Sequence, residues 1–154
     1  MDRRELLALA GVAAAAGATI AQAQDAGTEQ HARLIRIYTG PDGESHVNWV
    51  EIADDAAPIP VTSMRSVVYA RRASSEPNWH TAPARLFAIN MTGTLEVEVS
   101  DGSRQQIGPG DLVWLEDITG KGHVTRVLTP VTNLFIQVPQ DWDMLAWSRG
   151  GATA

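Results

Sequence analysis

The sequence predicts an all-β domain, either a sandwich or a barrel of antiparallel strands. From residue 32 onward, short runs of β-branched, aromatic and aliphatic residues recur along the chain. Turn sequences rich in glycine, proline and aspartate separate these runs at fairly even intervals. No helical periodicity appears in this part of the chain before residue 141. Short, evenly spaced strands joined by such turns are typical of sandwiches and barrels.

Nine segments are predicted as strands because each is rich in strand-forming residues or alternates between apolar and polar side chains. In chain order they are 34–38, 46–52, 66–72, 85–91, 95–99, 104–107, 112–116, 123–128 and 132–138. In 95–99 the two glutamates share one face and the leucine and valines share the other, so one face should be in solvent. Segment 141–147 is amphipathic and is predicted as a short helix or as a tail laid against the strands.

The stretch 108–123 combines a tight turn, a short strand, a glycine-rich bend and a histidine. Alternation along the strand puts Trp114 and Glu116 on the same face. A carboxylate beside a tryptophan, followed by a bend that leads into His123, indicates the wall of a pocket. We therefore expect the face that carries Trp114 and Glu116 to be the inner one.

The first residues are predicted to be an export signal that is absent from the mature protein. Arg3 and Arg4 precede an apolar run over 6–20, and 21–23 is an Ala-Gln-Ala cleavage signal. Paired arginines resemble a twin-arginine signal, which predicts a periplasmic or secreted protein. Ordinary secretion and a cytoplasmic amphipathic helix are the alternatives.

Composition excludes several classes of protein. The chain has 154 residues, a net charge of −6 and no cysteine. Disulfides, thiol catalysis and cysteine metal ligands are therefore excluded. An acidic chain without a basic cluster larger than an arginine pair is not expected to bind nucleic acid. No mature apolar stretch is long enough to span a membrane, and a homodimer is left open.

Part of the chain resembles the first motif of the cupin family, the small β-barrels of jelly-roll type. That motif begins with His-x-His, continues with a glutamate and closes on a glycine. Here His80 matches the first histidine and Gly93 the closing glycine. Ala82 stands at the second histidine position and Leu86 at the glutamate position.

A second stretch resembles the second cupin motif, which runs from a glycine through five residues to a proline, a glycine and a histidine. Gly110 and His123 match its ends, Glu116 stands where the proline is usual, and the bend is two residues longer. The resemblance implies an all-β jelly-roll (cupin) barrel with an antiparallel double sheet. The expected organisation is an export signal over 1–23, a flexible leader over 24–31, the barrel over 32–140 and a C-terminal tail over 141–154.

The resemblance also implies a metal site at the mouth of the barrel. Family sites usually take three histidines and a glutamate, which suits zinc, iron, manganese or nickel. Only His80 and His123 stand at matching positions and are the tentative ligands, with His46 or Glu116 as a further donor. If His46 joins the other two imidazoles, three ligands could hold zinc. Alternatively, the three histidines are separate polar residues.

The remaining candidates are a proton-transfer pair and a substrate-binding set. Glu116 and His123 are predicted as the catalytic acid and base, with a solvent-facing Glu116 as the alternative. Arg85 shares a face with Phe87, so it is expected to orient a substrate carboxylate or to pair with Glu116; an exposed arginine is equally compatible with the sequence. Trp114, Phe87 and His46 are predicted to line the pocket, although aromatic residues also form plain core.

Two classes of function follow from these candidates. The first is a metal-assisted or acid–base enzyme that acts on a small polar or carboxylated substrate. The second is a cupin module that binds a small-molecule ligand without metal and without chemistry.

Overall fold

The computed structural model describes residues 32–69 and 78–150, with the side chains of 67–69 excepted. The predicted export signal 1–23 and leader 24–31 lie outside the described residues. The end of the predicted third strand and residues 151–154 of the predicted tail lie outside them too. The described residues fall within the compact unit His31–Ala154. None of their helices is long and apolar enough to cross a membrane.

Nine strands and one short helix make up the described chain. They are β1 Arg33–Thr39, β2 Ser45–Glu51, β3 Ser63–Tyr69, β4 Leu86–Thr92, β5 Leu95–Val99, β6 Arg104–Ile107, β7 Leu112–Glu116, β8 His123–Val127, β9 Val131–Gln137 and α1 Met144–Ser148. Each predicted strand is present within a few residues of its expected bounds, which confirms the all-β prediction. Local composition was sufficient to predict the strands because each strand is short and ends at a turn sequence.

The strands form two sheets. One is six-stranded in the order β2-β1-β7-β4-β9-β3, and the other is three-stranded in the order β6-β5-β8. All pairs are antiparallel except β1 and β7, so the prediction of wholly antiparallel sheets is wrong at that pair. The sheets also do not close into a barrel among the described residues. A single bridge between His80 and His123 extends the small sheet beyond β8.

The connectivity is consistent with a jelly roll. From β3 onward the chain alternates between the two sheets, except that β5 and β6 pair as consecutive strands of the small sheet. β3-β9-β4-β7 form four adjacent strands of the large sheet. The small sheet supplies the opposing row, which is the His80 bridge followed by β8, β5 and β6. Two rows of four, connected in this way, are the double-sheet arrangement of that fold.

The inner faces of the two sheets form one core. On β5, Leu95, Val97 and Val99 point inward and are buried. Glu96 and Glu98 point outward, where Arg126 contacts both of them. The predicted alternation of this strand is thereby confirmed.

The outer face of the large sheet carries a second apolar core, which we call the outer cluster. Its buried members are Leu34, Phe87, Trp114, Ile136, Val138, Trp142, Met144 and Trp147. The C-terminal segment supplies three of them, and α1 starts where the side chain of Asp143 accepts a hydrogen bond from the Ala146 amide at 2.9 Å. Both predicted forms of this segment, a short helix and a tail laid on the strands, therefore occur together.

The outer cluster should contribute a large part of the stability. Trp147 contacts the rings of Phe87 and Trp142, and its indole N–H donates to the Ala57 carbonyl. Trp147→Ala is expected to lower the free energy of unfolding by about 3–5 kcal/mol, as for other buried aromatic residues. Trp49, which is 40% exposed, is the matched control; Trp49→Ala should cost less than about 1 kcal/mol. Urea unfolding followed by circular dichroism measures both, and equal losses would contradict the role of the outer cluster.

Candidate functional site

A cavity of about 540 Å³ lies between the inner faces of the two sheets. Its wall is mainly apolar and includes Ile37, Leu86, Ala88, Val97, Val113 and Phe135. The volume is within the usual range for small-molecule sites, roughly 300–1,000 Å³. The cavity is therefore a candidate small-molecule site.

The cavity exists because the large sheet places its bulky side chains on the other face. Ala88 and Val113, which pair across β4 and β7, point into the cavity. Their chain neighbours Phe87 and Trp114 point outward into the outer cluster. Small inward side chains leave space between the sheets that large ones would fill.

The ionisable side chains that line the cavity are Arg65, His80 and His123. None of the described lining residues is acidic. A carboxylate does lie directly behind the wall, because Asp117 contacts His123. The chemistry of the cavity therefore depends on these four residues.

His123 and Asp117 form a buried hydrogen-bonded pair. His123 Nδ1 lies 2.6 Å from Asp117 Oδ2, and both residues are almost completely buried. The hydroxyl of Ser45 donates to the same carboxylate oxygen at 3.2 Å. Asp117 Oδ1 has no hydrogen-bond partner in the described part of the chain. Because a carboxylate only accepts, the Nδ1 of His123 carries the proton.

A glycine-rich bend brings the two members of this pair together although they are six residues apart in the chain. Asp117 follows β7 directly, and His123 begins β8. Gly122 has a φ of +79°, and a Cβ built there would lie 2.2 Å from the backbone oxygen of His80. Only glycine fits this conformation and this close approach.

His80 lies beside His123. Their backbones exchange two hydrogen bonds, of 3.0 and 2.8 Å, and their ring centroids are 4.6 Å apart. His80 Nδ1 is 2.9 Å from the carbonyl oxygen of Asn78, so it is a donor. Both imidazoles therefore use Nδ1 as a donor to the protein, and the lone pair of each ring is on Nε2.

The described residues do not fit a metal site. Two imidazoles come together, but no group of three or more possible ligands occurs among the described residues. Metal centres in proteins usually take three or four protein donors.

Glu116 lies on the opposite face from the cavity, so its expected place in the pocket is wrong. Arg36 Nε donates to Glu116 Oε1 at 2.9 Å, and the indole of Trp114 donates to the other oxygen. Trp114 itself is in the outer cluster. The sequence pattern does not distinguish the two faces of β7, because both are covered. The face toward the cavity carries Val113 and Leu115.

Arg85 and Phe87 are outside the cavity for the same reason. They do share a face, as predicted, but that face is covered by the C-terminal segment. Phe87 is buried in the outer cluster, and the guanidinium of Arg85 donates to the Gln140 carbonyl at 2.7 Å. Arg85 therefore neither orients a ligand in the cavity nor pairs with Glu116.

His46 does not join His80 and His123. Its neighbour Ser45 points inward to Asp117, so alternation along β2 directs His46 outward. There His46 lies between two carboxylates, with Nδ1 2.7 Å from Asp101 and Nε2 3.1 Å from Asp42. These hydrogen bonds, that of Asp42 foremost, raise the pKa of His46 above its usual value of 6.5.

Sequence reasoning missed Asp117 and Arg65. A usable signal existed for Asp117, because it continues the series Val113 and Leu115 at a spacing of two and comes just before the bend to His123. Arg65 gave no such signal, since it directly precedes the predicted strand 66–72 and belongs to no motif.

No protein-family model matches the chain, and no curated protein matches it. Among solved structures, the chain is similar to a crystal structure of an ethanolamine utilization protein Q (EutQ) from Salmonella typhimurium. The two share 16% identity, and the match covers 73% of this chain and 99% of that chain, with a TM-score of 0.38.

Gly122 should be indispensable for the approach of the two histidine segments. A left-handed φ alone costs an alanine about 1–2 kcal/mol. Gly122→Ala is expected to lower the free energy of unfolding by more than this, because the new Cβ also collides with His80. Gly102 is the matched control, since its φ is +91° and nothing lies within 4 Å of the built Cβ. Urea titrations of Gly122→Ala and Gly102→Ala give the comparison, and similar losses in the two would contradict the close packing at Gly122.

The link between His46 and its carboxylates should make stability depend on pH. A raised pKa in the folded state means that the contribution is fully present below the unfolded value, near 6.5, and is lost as the pH rises through the folded value. The difference in unfolding free energy between the wild type and His46→Gln should therefore shrink between neutral and alkaline pH. Asp42→Asn should reduce this dependence. A difference that grows as the pH rises would contradict the assignment.

Proposed function

We propose that the protein is a cupin-like jelly roll that binds a small molecule in the cavity between its sheets, and that His123 exchanges a proton with this molecule. One observation carries the proposal, the 2.6 Å hydrogen bond between His123 and the buried carboxylate of Asp117 at the cavity wall. A carboxylate behind a histidine is the arrangement by which many acid–base sites hold the imidazole.

Asp117 gives His123 a defined role. By accepting the Nδ1 proton, it fixes the tautomer and the orientation of the ring, which leaves Nε2 as the proton acceptor. When Nε2 takes a proton from the bound molecule, the ring becomes a cation next to a carboxylate, and this attraction stabilises it. Ser45 holds the carboxylate in place through its hydroxyl.

His80 extends the same site. Its ring lies against that of His123, and its Nδ1 is held by a backbone carbonyl, so its Nε2 is also an acceptor. Two neighbouring acceptors favour a ligand that offers hydroxyl or amine protons. His80 is also more exposed than His123, which suits it to the transfer of a proton between the site and solvent.

The burial of Asp117 itself supports a functional role. A buried carboxylate oxygen without a donor costs free energy, of the order of 1–3 kcal/mol. Asp117 Oδ1 is such an atom among the described residues. Functional sites are one place where proteins keep such unfavourable polar groups.

A non-catalytic binding module is the second candidate. The apolar wall of the cavity favours it, because an apolar pocket with a few polar groups is sufficient for binding. Only His80 and His123 remain of the four ligand positions that the cupin resemblance implies, which also favours binding without metal chemistry. The two candidates differ in one respect, whether a bound molecule is changed.

Proton NMR of small organic compounds in D₂O can test both candidates at once. We expect the wild type to broaden the signals of ligands that enter the cavity and to exchange a carbon-bound proton of at least one of them for deuterium, since hydroxyl and amine protons exchange with D₂O unaided. His123→Gln and Asp117→Asn should slow this exchange by about 10²–10⁴-fold, the usual contribution of an acid–base group. Line broadening should persist in both variants, because neither substitution closes the cavity.

His46→Gln is the matched control, because it removes a histidine that lies outside the cavity, and it should leave the exchange unchanged. Exchange that survives in His123→Gln would exclude His123 as the proton-transfer group. Broadening without exchange in the wild type would support the binding module instead. If no compound is broadened, the cavity is not a small-molecule site.

A further inference from the structure

Arg65 is the one permanently charged side chain among the described residues that line the cavity. It lies on β3, and its guanidinium carbon is 5.6 Å from the centroid of the Phe135 ring, which also lines the cavity. β3 pairs with β9, and Arg65 and Phe135 are directly opposite each other in that pair. The charge is thereby held beside an apolar surface.

No acidic side chain pairs with Arg65 among the described residues. Other arginines have such partners: Arg36 pairs with Glu116, and Arg126 contacts Glu96 and Glu98. Asp117, the carboxylate behind the cavity wall, is fully buried and is bonded to His123 and Ser45. The chain as a whole carries a net charge of −6, yet none of the described residues that line the cavity is acidic.

We propose that the cavity selects a small organic anion, an apolar molecule with a carboxylate or similar group that Arg65 binds. Guanidinium groups bind such anions through two parallel hydrogen bonds. The apolar part of the molecule lies against Phe135 and the aliphatic wall, and its proton-bearing part faces His80 and His123. This inference rests on the proposed function, since it names the class of molecule that the same cavity takes.

The role that the sequence suggested for Arg85 is thereby assigned to Arg65. The two arginines differ in their surroundings, since Arg85 donates to a backbone carbonyl outside the cavity. They serve as a pair for experiment, because Arg65 is an exposed arginine on β3 and Arg85 is a half-buried arginine just before β4 of the same sheet.

Two fluorescent probes test the proposal without knowledge of the natural ligand. Anilinonaphthalene sulfonate is an apolar anion, and phenylnaphthylamine has the same aromatic body without the charge. Arg65→Gln should weaken the binding of the sulfonate by about tenfold or more, the usual worth of a hydrogen bond to a charged group. The affinity for the neutral probe should change by less than about twofold. Arg65→Lys should retain part of the affinity for the sulfonate, and Arg85→Gln should change neither affinity.

Thr125→Phe places a larger side chain at an accessible position of the cavity wall and should weaken both probes, which shows that they bind there. Melting curves confirm that each variant is folded. If Thr125→Phe weakens both probes but Arg65→Gln leaves the sulfonate affinity unchanged, anion selection is wrong and the cavity remains a binding site. If neither probe binds the wild type, or if Thr125→Phe affects neither, the proposed function fails as well.

Discussion

The hydrogen bond between Asp117 and His123 organises one whole end of the molecule. Ser45 at the start of β2 donates to the carboxylate, and the Ala82 amide donates to the Asp117 backbone carbonyl at 3.1 Å. The His80 segment is in turn bonded to the backbone of His123. Strands from both sheets and the segment before β4 therefore meet at this one pair. Because the ring of His123 is also part of the cavity wall, the same contacts hold the fold together and set the geometry of the site.

The large sheet has a different use on each of its faces. Its outer face is closely packed with aromatic rings and is covered by the C-terminal segment, whereas its inner face borders the cavity, with smaller side chains at Ala88 and Val113. Arg36 and Glu116 satisfy each other on the outer face. Arg65 of the large sheet borders this cavity, and His80 and His123 border it from the small sheet. The outer face of the large sheet thus contributes mainly to stability, and its inner face borders the proposed binding cavity.

The sequence was sufficient to predict the strands but not which face of each strand is inside. Alternation identified the inner face of β5, because its outward residues are glutamates, which pair there with Arg126. On β4 and β7 both faces are buried, so polarity gave no distinction, and Trp114 and Glu116 were placed on the wrong side. The cover over the outer face comes from residues near the end of the chain, and no local pattern shows where such a segment will lie. His80 and His123 were found because each stands at a position of a motif, whereas the partnership of His123 with Asp117 depends on the path of the bend between them.

The outer cluster also affects folding during synthesis. It joins Leu34 in β1 to Trp147 in α1, so it cannot assemble until the chain as far as α1 has left the ribosome. During synthesis the aromatic side of the large sheet stays uncovered, and such transiently exposed surfaces favour aggregation. Contacts between such distant parts of a chain also slow folding. Trp142, Met144 and Trp147 therefore cover the outer face late in synthesis, and the newly made sheet is protected only once they pack against it.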